Sequence, residues 1–331
     1  MTISAIVPVW NGEELLRRLL RSLAAQSAPP AELIVVDNGS QDAAPDVARQ
    51  AGARVIRMGH NAGFAAAVNR GIREAAGEVV AVLNSDVELT PDYLRILAAA
   101  LEESGAWFAT GKLLSDTLPD RLDGTFDVIC RGGTACRMGY GQTDGAFYSS
   151  RRRIWSAPWT AALFRADLFA KGGTLDERYE SYLEDVDFGL RSARLGLCGI
   201  YVPEAVARHR GSASLGRWHA ETVRRISRNQ VFLLARHFPA PSLRRHAWPI
   251  ALAQILWGGV ALGHGCGWAW MRGKWQGIKR WRAVRGTDLF DSSELDRLLA
   301  ESETLIRQSQ SSAMRDWYWK MYFRLSGSGA K

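Results

Sequence analysis

The chain has 331 residues, of which 47% are hydrophobic and 23% charged, and a net charge of +8. That balance suits a soluble globular protein with one large domain or a catalytic domain plus a smaller unit, and it argues against disordered and low-complexity classes. The positive excess is local: from Arg208 to Arg285 fifteen Lys and Arg stand against the single acid Glu221, so the rest of the chain is net negative. Four cysteines, Cys130, Cys136, Cys198 and Cys266, form no CxxC pair and no regular framework, which argues against zinc and disulfide scaffolds and for a reducing cytoplasm. The first residues lack a charged n-region and cleavage site, so no signal peptide is expected.

In chain order, Ile3 to Val9 reads as an apolar strand closed by Trp10-Asn11-Gly12. Asn11, three residues before Glu14, predicts a cap on a helix whose Leu15, Leu16, Leu19, Leu20 and Leu23 recur at helical spacing. A second strand, Leu33 to Val36, runs into Asp37-Asn38-Gly39-Ser40, and a helix capped near Asp42 follows to Gly52. A third strand, Arg54 to Met58, leads through His60-Asn61-Ala62-Gly63-Phe64 into an Ala-rich helix ending at Ala76. The fourth is Val79 to Leu83, stopping abruptly in Asn84-Ser85-Asp86.

Strands alternating with helices over short links predict βαβ crossovers and a mostly parallel sheet with helices on both faces, an α/β fold. In such sheets ligands collect beyond the carboxyl ends of the strands, so the polar clusters at Asn11, Asp37, Asn61 and Asp86 are expected to share one site. No G-x-G-x-x-G follows the first strand, and Gly105 to Lys112 has Leu113 where a P-loop needs Ser or Thr. A nucleotide would therefore be held differently, by Asp37 at a base or ribose and by a metal at Asp86 bridging phosphates. The plain alternative for both acids is a turn or cap.

Thr90-Pro91-Asp92 predicts a helix start with Thr as cap. Residues 115 to 155 read as irregular, suited to an acceptor-side loop, and Trp159 to Arg165 reads as a strand. After Gly172-Gly173, three acids, Glu184, Asp185 and Asp187, fall at a helix start. The macrodipole favours acids there, but a cap needs one and not three. Arg191 is one turn on from Asp187 and can pair with it.

Taken together, Val7-Pro8-Val9-Trp10-Asn11-Gly12, Val35-Val36-Asp37-Asn38-Gly39-Ser40, Asn61-Ala62-Gly63-Phe64 with Asn69 and Gly71, Leu83-Asn84-Ser85-Asp86, Gly172-Gly173 with Asp176-Glu177, Glu184-Asp185-Val186-Asp187 with Arg191, and His209 stand in a recognisable order. The chain resembles family 2 glycosyltransferases of the GT-A fold, in their bacterial rhamnosyltransferase-like branch. The resemblance implies a nucleotide-sugar donor contacted by Pro8, Trp10, Asn11, Asp37, Asn61, Gly63, Phe64, Asn69, Asn84 and Ser85. It implies a divalent metal, Mg²⁺ or Mn²⁺, at Asp86 with His209 as a further ligand, and Asp185 as the base that activates the acceptor hydroxyl. Trp159, Glu184, Asp187 and Arg191 would contact the acceptor or support the site. Where many GT-A enzymes carry Asp-x-Asp this chain has Asn84-Ser85-Asp86, so weak metal binding is expected until the donor's phosphates complete the shell.

Residues 218 to 237 read as a basic helix, and 247 to 271 contain no Asp, Glu, Lys or Arg. Pro249, Gln254, His264 and a Gly-rich second half weaken a single spanning helix, and Arg272, Lys274, Lys279, Arg280, Arg282 and Arg285 then interleave with Trp275, Ile278 and Trp281. This predicts peripheral contact with an anionic membrane through about 247–285 and no nucleic-acid role; a buried apolar hairpin is the alternative. The expected organisation is a GT-A catalytic domain over 1–237, split near 112 into nucleotide-sugar and acceptor halves, and a C-terminal helical, Trp-rich basic region over 238–331. The expected activity is inverting transfer of a sugar, L-rhamnose from a dTDP donor, to a glycan or lipid-linked acceptor at the inner face of the cytoplasmic membrane. The competing readings are a UDP-sugar transferase (galactofuranose, glucose or N-acetylglucosamine), a nucleotidyltransferase, and a catalytically silent membrane scaffold.

Overall fold

The computed structural model describes residues 1–118, 120–211, 216, 218–313 and 316–327, with 311–313 as backbone only. The chain divides into two compact units: Met1–Asp127 with Gly139–Ser214, and Val128–Met138 with Leu215–Lys331.

The first unit opens with β1 (Ile3–Val9), α1 (Glu13–Ala24), β2 (Glu32–Asp37), α2 (Ala44–Gln50), β3 (Arg54–Arg57), α3 (Phe64–Glu74) and β4 (Val79–Leu83). β1 and β4 are buried at every residue, as strands covered on both faces must be. β4, β1, β2 and β3 are parallel neighbours in that order, with Ile6 opposite Val82 and Val9 opposite Asp37. Pro8 lies in β1 beyond the last residue paired with β4, where its missing N–H breaks no ladder. The parallel arrangement puts the carboxyl ends of β1, β2 and β4 along one edge, as the alternation predicted.

The unit continues with β5 (Val87–Leu89), α4 (Tyr93–Ser104), β6 (Phe108–Ser115), β7 (Leu122–Gly124), β8 (Asp127–Ile129, running into the second unit), β9 (Ala135–Arg137, within it), β10 (Arg152–Ile154), β11 (Ala161–Arg165), α5 (Ala166–Gly172), α6 (Glu184–Arg194) and β12 (Gly199–His209). β11 enters antiparallel between β4 and β6, and β12 lies parallel to β6. β5 and β7 pair at the margin with β12 and β6. The segment 115–155, expected to be irregular, thus carries four short strands; none exceeds three residues, too short to show a period. One face of the sheet packs Ala5, Val7, Val35, Ala81 and Leu163 against α1, α2 and α4. On the other, α3 approaches so closely that a Cβ on Gly71 would stand 2.3 Å from Ile6 Cγ2.

Two caps differ from expectation. Asn11 does not cap α1: it takes φ +59°, and its Oδ1 accepts from Gln41 N at 2.9 Å, while Gly12 stands at the cap position. The first amide of α1, Glu13 N, instead donates to Asp42 Oδ2 at 2.9 Å. Thr90 holds the start of α4 through its carbonyl, which accepts from Tyr93 N, whereas its hydroxyl donates to Val206 O at 2.7 Å.

The second unit holds α7 (Ala220–His237), α8 (Ala240–Arg245), α9 (Ala247–Gly263), α10 (Gly267–Lys279), α11 (Trp281–Val284), α12 (Ser292–Ala313) and α13 (Trp317–Leu325), with the β8–β9 pair. The apolar run 247–271 breaks after Gly263, where Gly265 takes φ +72°, so α9 and α10 are separate helices. Among the described residues no helix is long and apolar enough to cross a membrane. Inside the unit, buried Glu303 accepts from Arg131 Nε at 3.1 Å and from Tyr322 Oη at 2.8 Å, so its charge is paired.

Candidate active site

The edge where β1, β2 and β4 end is built from loops that brace one another. Asp37, 4% exposed, accepts from Ser40 N at 2.8 Å, and Ser40 Oγ accepts from Asn11 N at 2.9 Å. Asn38 spans to the next loop: its Nδ2 donates to Asn61 Oδ1 (3.0 Å) and Gly63 O (3.2 Å), and its Oδ1 accepts from Ala62 N (2.9 Å). Gly39 at φ +84° is required, since a Cβ there would lie 2.8 Å from the His60 backbone. Asn11, Asp37 and Asn61 are therefore one connected wall, with Trp10 half-buried at its end.

Three residues distant in sequence meet at the end of β4. β5 pairs with β12 so that Val87 faces His209, which sets the histidine beside Asp86. His209 Nε2 lies 3.1 Å from Asp86 Oδ1, and its Nδ1 lies 2.7 Å from Asp123 Oδ2 on β7. His209 is 6% exposed. Burial alone would disfavour its protonated form, but the two carboxylates outweigh burial and raise its pKa to about 9. Arg210 N donates to Asp86 O at 3.1 Å, and Arg208 and Arg210 are exposed on either side of the histidine. Asn84 Oδ1 is buried and has no hydrogen-bond partner among the described residues, so a ligand group there would satisfy it.

The acidic triplet separates into roles. Asp187 is fully buried and holds structure: its Oδ2 accepts from Arg191 Nε at 2.9 Å and its Oδ1 from Tyr179 Oη at 3.2 Å. Arg191 in turn donates to Gly172 O, and to Thr174 O at 2.7 Å, tying α6 to the turn after α5. Glu184 is buried as well. Asp185 alone of the three is partly exposed, in the first turn of α6.

The approach to that turn is strained, for Glu180, Tyr182 and Leu183 all take left-handed backbone at φ +62°, +72° and +67°. It is held from across the site by the start of α3: Ala65 N donates to Glu180 O (3.0 Å) and Phe64 N to Ser181 Oγ (3.3 Å). Gly63 permits this contact, because a Cβ would stand 2.9 Å from Glu180 O. The loop predicted to meet the donor and the turn carrying Asp185 are thus one joined piece.

Two other expected site residues serve the scaffold. Asn69 is buried on α3, donating to Leu175 O (2.8 Å) and Glu177 Oε1 (3.0 Å) and accepting from Leu175 N (3.0 Å). Trp159 is 2% exposed and packs on Phe164 and Phe188 with ring centroids 4.3 and 4.9 Å away, so it supports α6 from the core. Asp123, Asn38 and Ser181 went unnoticed as site residues. Asp123 sits in the stretch read as irregular, whereas Asn38 belongs to a motif whose signal was visible.

The sequence model described as Glycosyl transferase family 2 matches residues 4–171. The chain is 30% identical over 252 residues to the N-acetylglucosaminyl-diphospho-decaprenol L-rhamnosyltransferase of Mycobacterium tuberculosis, covering 67% of this chain and 80% of that protein. Among solved structures it resembles GalNAc-T7 with UDP, GalNAc and Mn²⁺ (TM-score 0.60, 12% identity, 86% of this chain and 57% of that one). It also resembles the mannosyltransferase PcManGT from Pyrobaculum calidifontis in complex with GDP-Man and Mn²⁺ (TM-score 0.53, 17% identity, 98% and 85%). At these identities the two structures speak for the fold, which is GT-A.

Proposed function

Because the chain belongs to glycosyl transferase family 2, we propose that it is an inverting transferase moving L-rhamnose from a dTDP donor to a lipid-linked glycan acceptor at the inner face of the cytoplasmic membrane. The rhamnosyl donor and lipid-linked acceptor are suggested by the mycobacterial relative's own activity. In this reading the first unit carries the chemistry, and the second, with the C-terminal region 238–331, meets the membrane.

The observation that carries the reading is His209 set between Asp86 and Asp123 at the carboxyl end of β4. This donor set fits a divalent metal, Mg²⁺ or Mn²⁺: Asp86 would offer an oxygen, His209 would offer Nε2 after releasing the proton it holds between the two carboxylates, and Asp123 would fix the ring through Nδ1. Among the described residues no group of three or more His, Cys, Asp or Glu is placed to hold a metal. The two protein ligands therefore need the donor's diphosphate to complete the shell. A bound ion supplies electrostatic stabilisation of the departing diphosphate.

The protein's own part is positioning and proton transfer. The wall of Asn11, Asp37 and Asn61 receives the nucleoside. Asp185 takes the proton from an acceptor hydroxyl as its oxygen bonds to the anomeric carbon and the bond to the diphosphate breaks. A single in-line displacement inverts that carbon, and a positioned carboxylate contributes about 10² to 10⁴-fold. The test is transfer from a panel of dTDP- and UDP-sugars to a lipid-diphosphate N-acetylglucosamine, with product stereochemistry read by NMR. Asp185→Asn should lower kcat by at least about 10² while donor binding and melting temperature stay unchanged. Wild-type turnover in that variant, or retention of configuration, would overturn the reading; transfer from a UDP-sugar alone would replace the donor assignment.

A further inference from the structure

The outer surface of α9 and α10 carries more exposed apolar side chain than a solvent-facing surface warrants. α10 lies on α7 so closely that a Cβ on Gly273 would meet Arg224 O at 2.3 Å and one on Gly277 would meet Val231 Cβ at 2.6 Å. α9 turns Leu252, Ala253 and Leu256 inward. The opposite sides leave six large apolar side chains exposed, Trp248, Ile255 and Leu262 at helical spacing on α9 and Trp268, Trp275 and Ile278 on α10, at 57% (Trp275) to 75% (Trp268), with the indole N–H of Trp248 donating to Leu325 O of α13 at 2.8 Å. A helix apolar around its whole circumference is normally covered on every side. At 17 and 13 residues the two helices are about 25 and 20 Å long, so their bare faces offer on the order of 500 Å², at the upper end of what monomers expose without a use.

Charge decides what covers it. Arg272, Lys279, Arg280 and Arg282 are exposed on or beside α10, Lys279 Nζ standing 4.0 Å from the Trp275 ring centre, and residues 247–285 contain no Asp or Glu. A second copy seated face to face would oppose these cations to themselves. Anionic lipid headgroups neutralise them while the tryptophans settle at the headgroup level and the aliphatic tips reach the acyl boundary.

We propose that α9 and α10 form an in-plane docking face for an anionic bilayer, with the helix axes parallel to the surface and the six apolar side chains inserted. The proposal rests on the membrane-side reading above and gives it a surface. The experiment is sedimentation of the full chain with vesicles of phosphatidylcholine containing about a third phosphatidylglycerol, against phosphatidylcholine alone. Expected are binding to the anionic vesicles with a blue shift of tryptophan emission, and at least about tenfold weaker partition for Trp268→Ser with Trp275→Ser. Arg272→Ala with Lys279→Ala should lose about thirtyfold at low salt, and less at high salt. All these side chains are exposed, so melting temperatures should match the wild type, and nucleotide binding should persist. No partition to anionic vesicles, partition indifferent to the tryptophan pair, or a solution dimer dissolved by Trp268→Ser would overturn the proposal. Vesicle binding in a protein that transfers no sugar would sink the proposed reaction and leave the docking face standing.

Discussion

Asp187 and Asp185 stand two residues apart on one helical turn, and replacing each by asparagine separates anchoring from chemistry. Asp187 is fully buried, and Asp187→Asn removes the charge opposite Arg191, whose side chain is only 13% exposed. A buried cation left without its partner costs about 3 to 5 kcal/mol, set against a total stability of roughly 5 to 15 kcal/mol. At about 2 to 4 °C per kcal/mol for a unit of this size, the melting transition should fall by about 10 °C, whereas Asp185→Asn should leave it in place. Arg191→Leu added to Asp187→Asn should recover part of the loss, since it removes the stranded charge; the coupling is read from a double-mutant cycle in urea. A loss below about 1 kcal/mol for Asp187→Asn, or no recovery in the double variant, would refute the assignment of Asp187 as an anchor.

Gly63→Ala should lower kcat more than about tenfold with KM for the donor less affected, because a Cβ at φ +92° would push Glu180 O and shift the turn bearing Asp185; equal kcat in steady-state kinetics would show that the turn tolerates the shift. Asp123→Asn should weaken Mn²⁺ affinity about 10- to 100-fold in the presence of nucleoside diphosphate, measured by calorimetry, since it loosens the group that orients His209. Glu221, paired with Arg224 and Arg225 at the start of α7, has its carboxyl pKa lowered to about 2. Its contribution is thus present above the ordinary carboxyl value of 4.5 and lost as pH falls toward 2. With the carboxylate a third exposed, that amounts to about 0.5 to 1 kcal/mol. Glu221→Gln should lower stability by that much at pH 7 and by nothing near pH 2, as followed by circular dichroism.

The parallel half of the sheet was legible because buried strands read as unbroken apolar runs and their carboxyl ends as abrupt polar clusters: Val79 to Leu83 giving way to Asn84-Ser85-Asp86 is the plainest case. The pairing of Asp187 with Arg191 was also readable, being one turn of one helix. Asp123 was not, since a three-residue strand gives no period and its partner is 86 residues away. The partners of Asn69 were hidden for a related reason: a motif tells which residue is present, but only packing tells that its amide faces Leu175 and Glu177. The cap of α1 by Asp42 escaped because capping rules look along the chain, and this carboxylate comes from the next loop.

The eleven-residue strand β12 carries His209 at its last position and shifts register against β6 between Val202 and Val206. Side chains alternate across a strand, so inserting or deleting one residue between Val206 and His209 would turn the imidazole to the opposite face. The irregular stretch from 203 to 205 escapes that alternation, because a bulge absorbs an extra residue as added twist, and within it Glu204 is exposed while Pro203 and Ala205 are buried. Length variation among related chains should therefore gather at 203–205 and be absent from the four residues that follow.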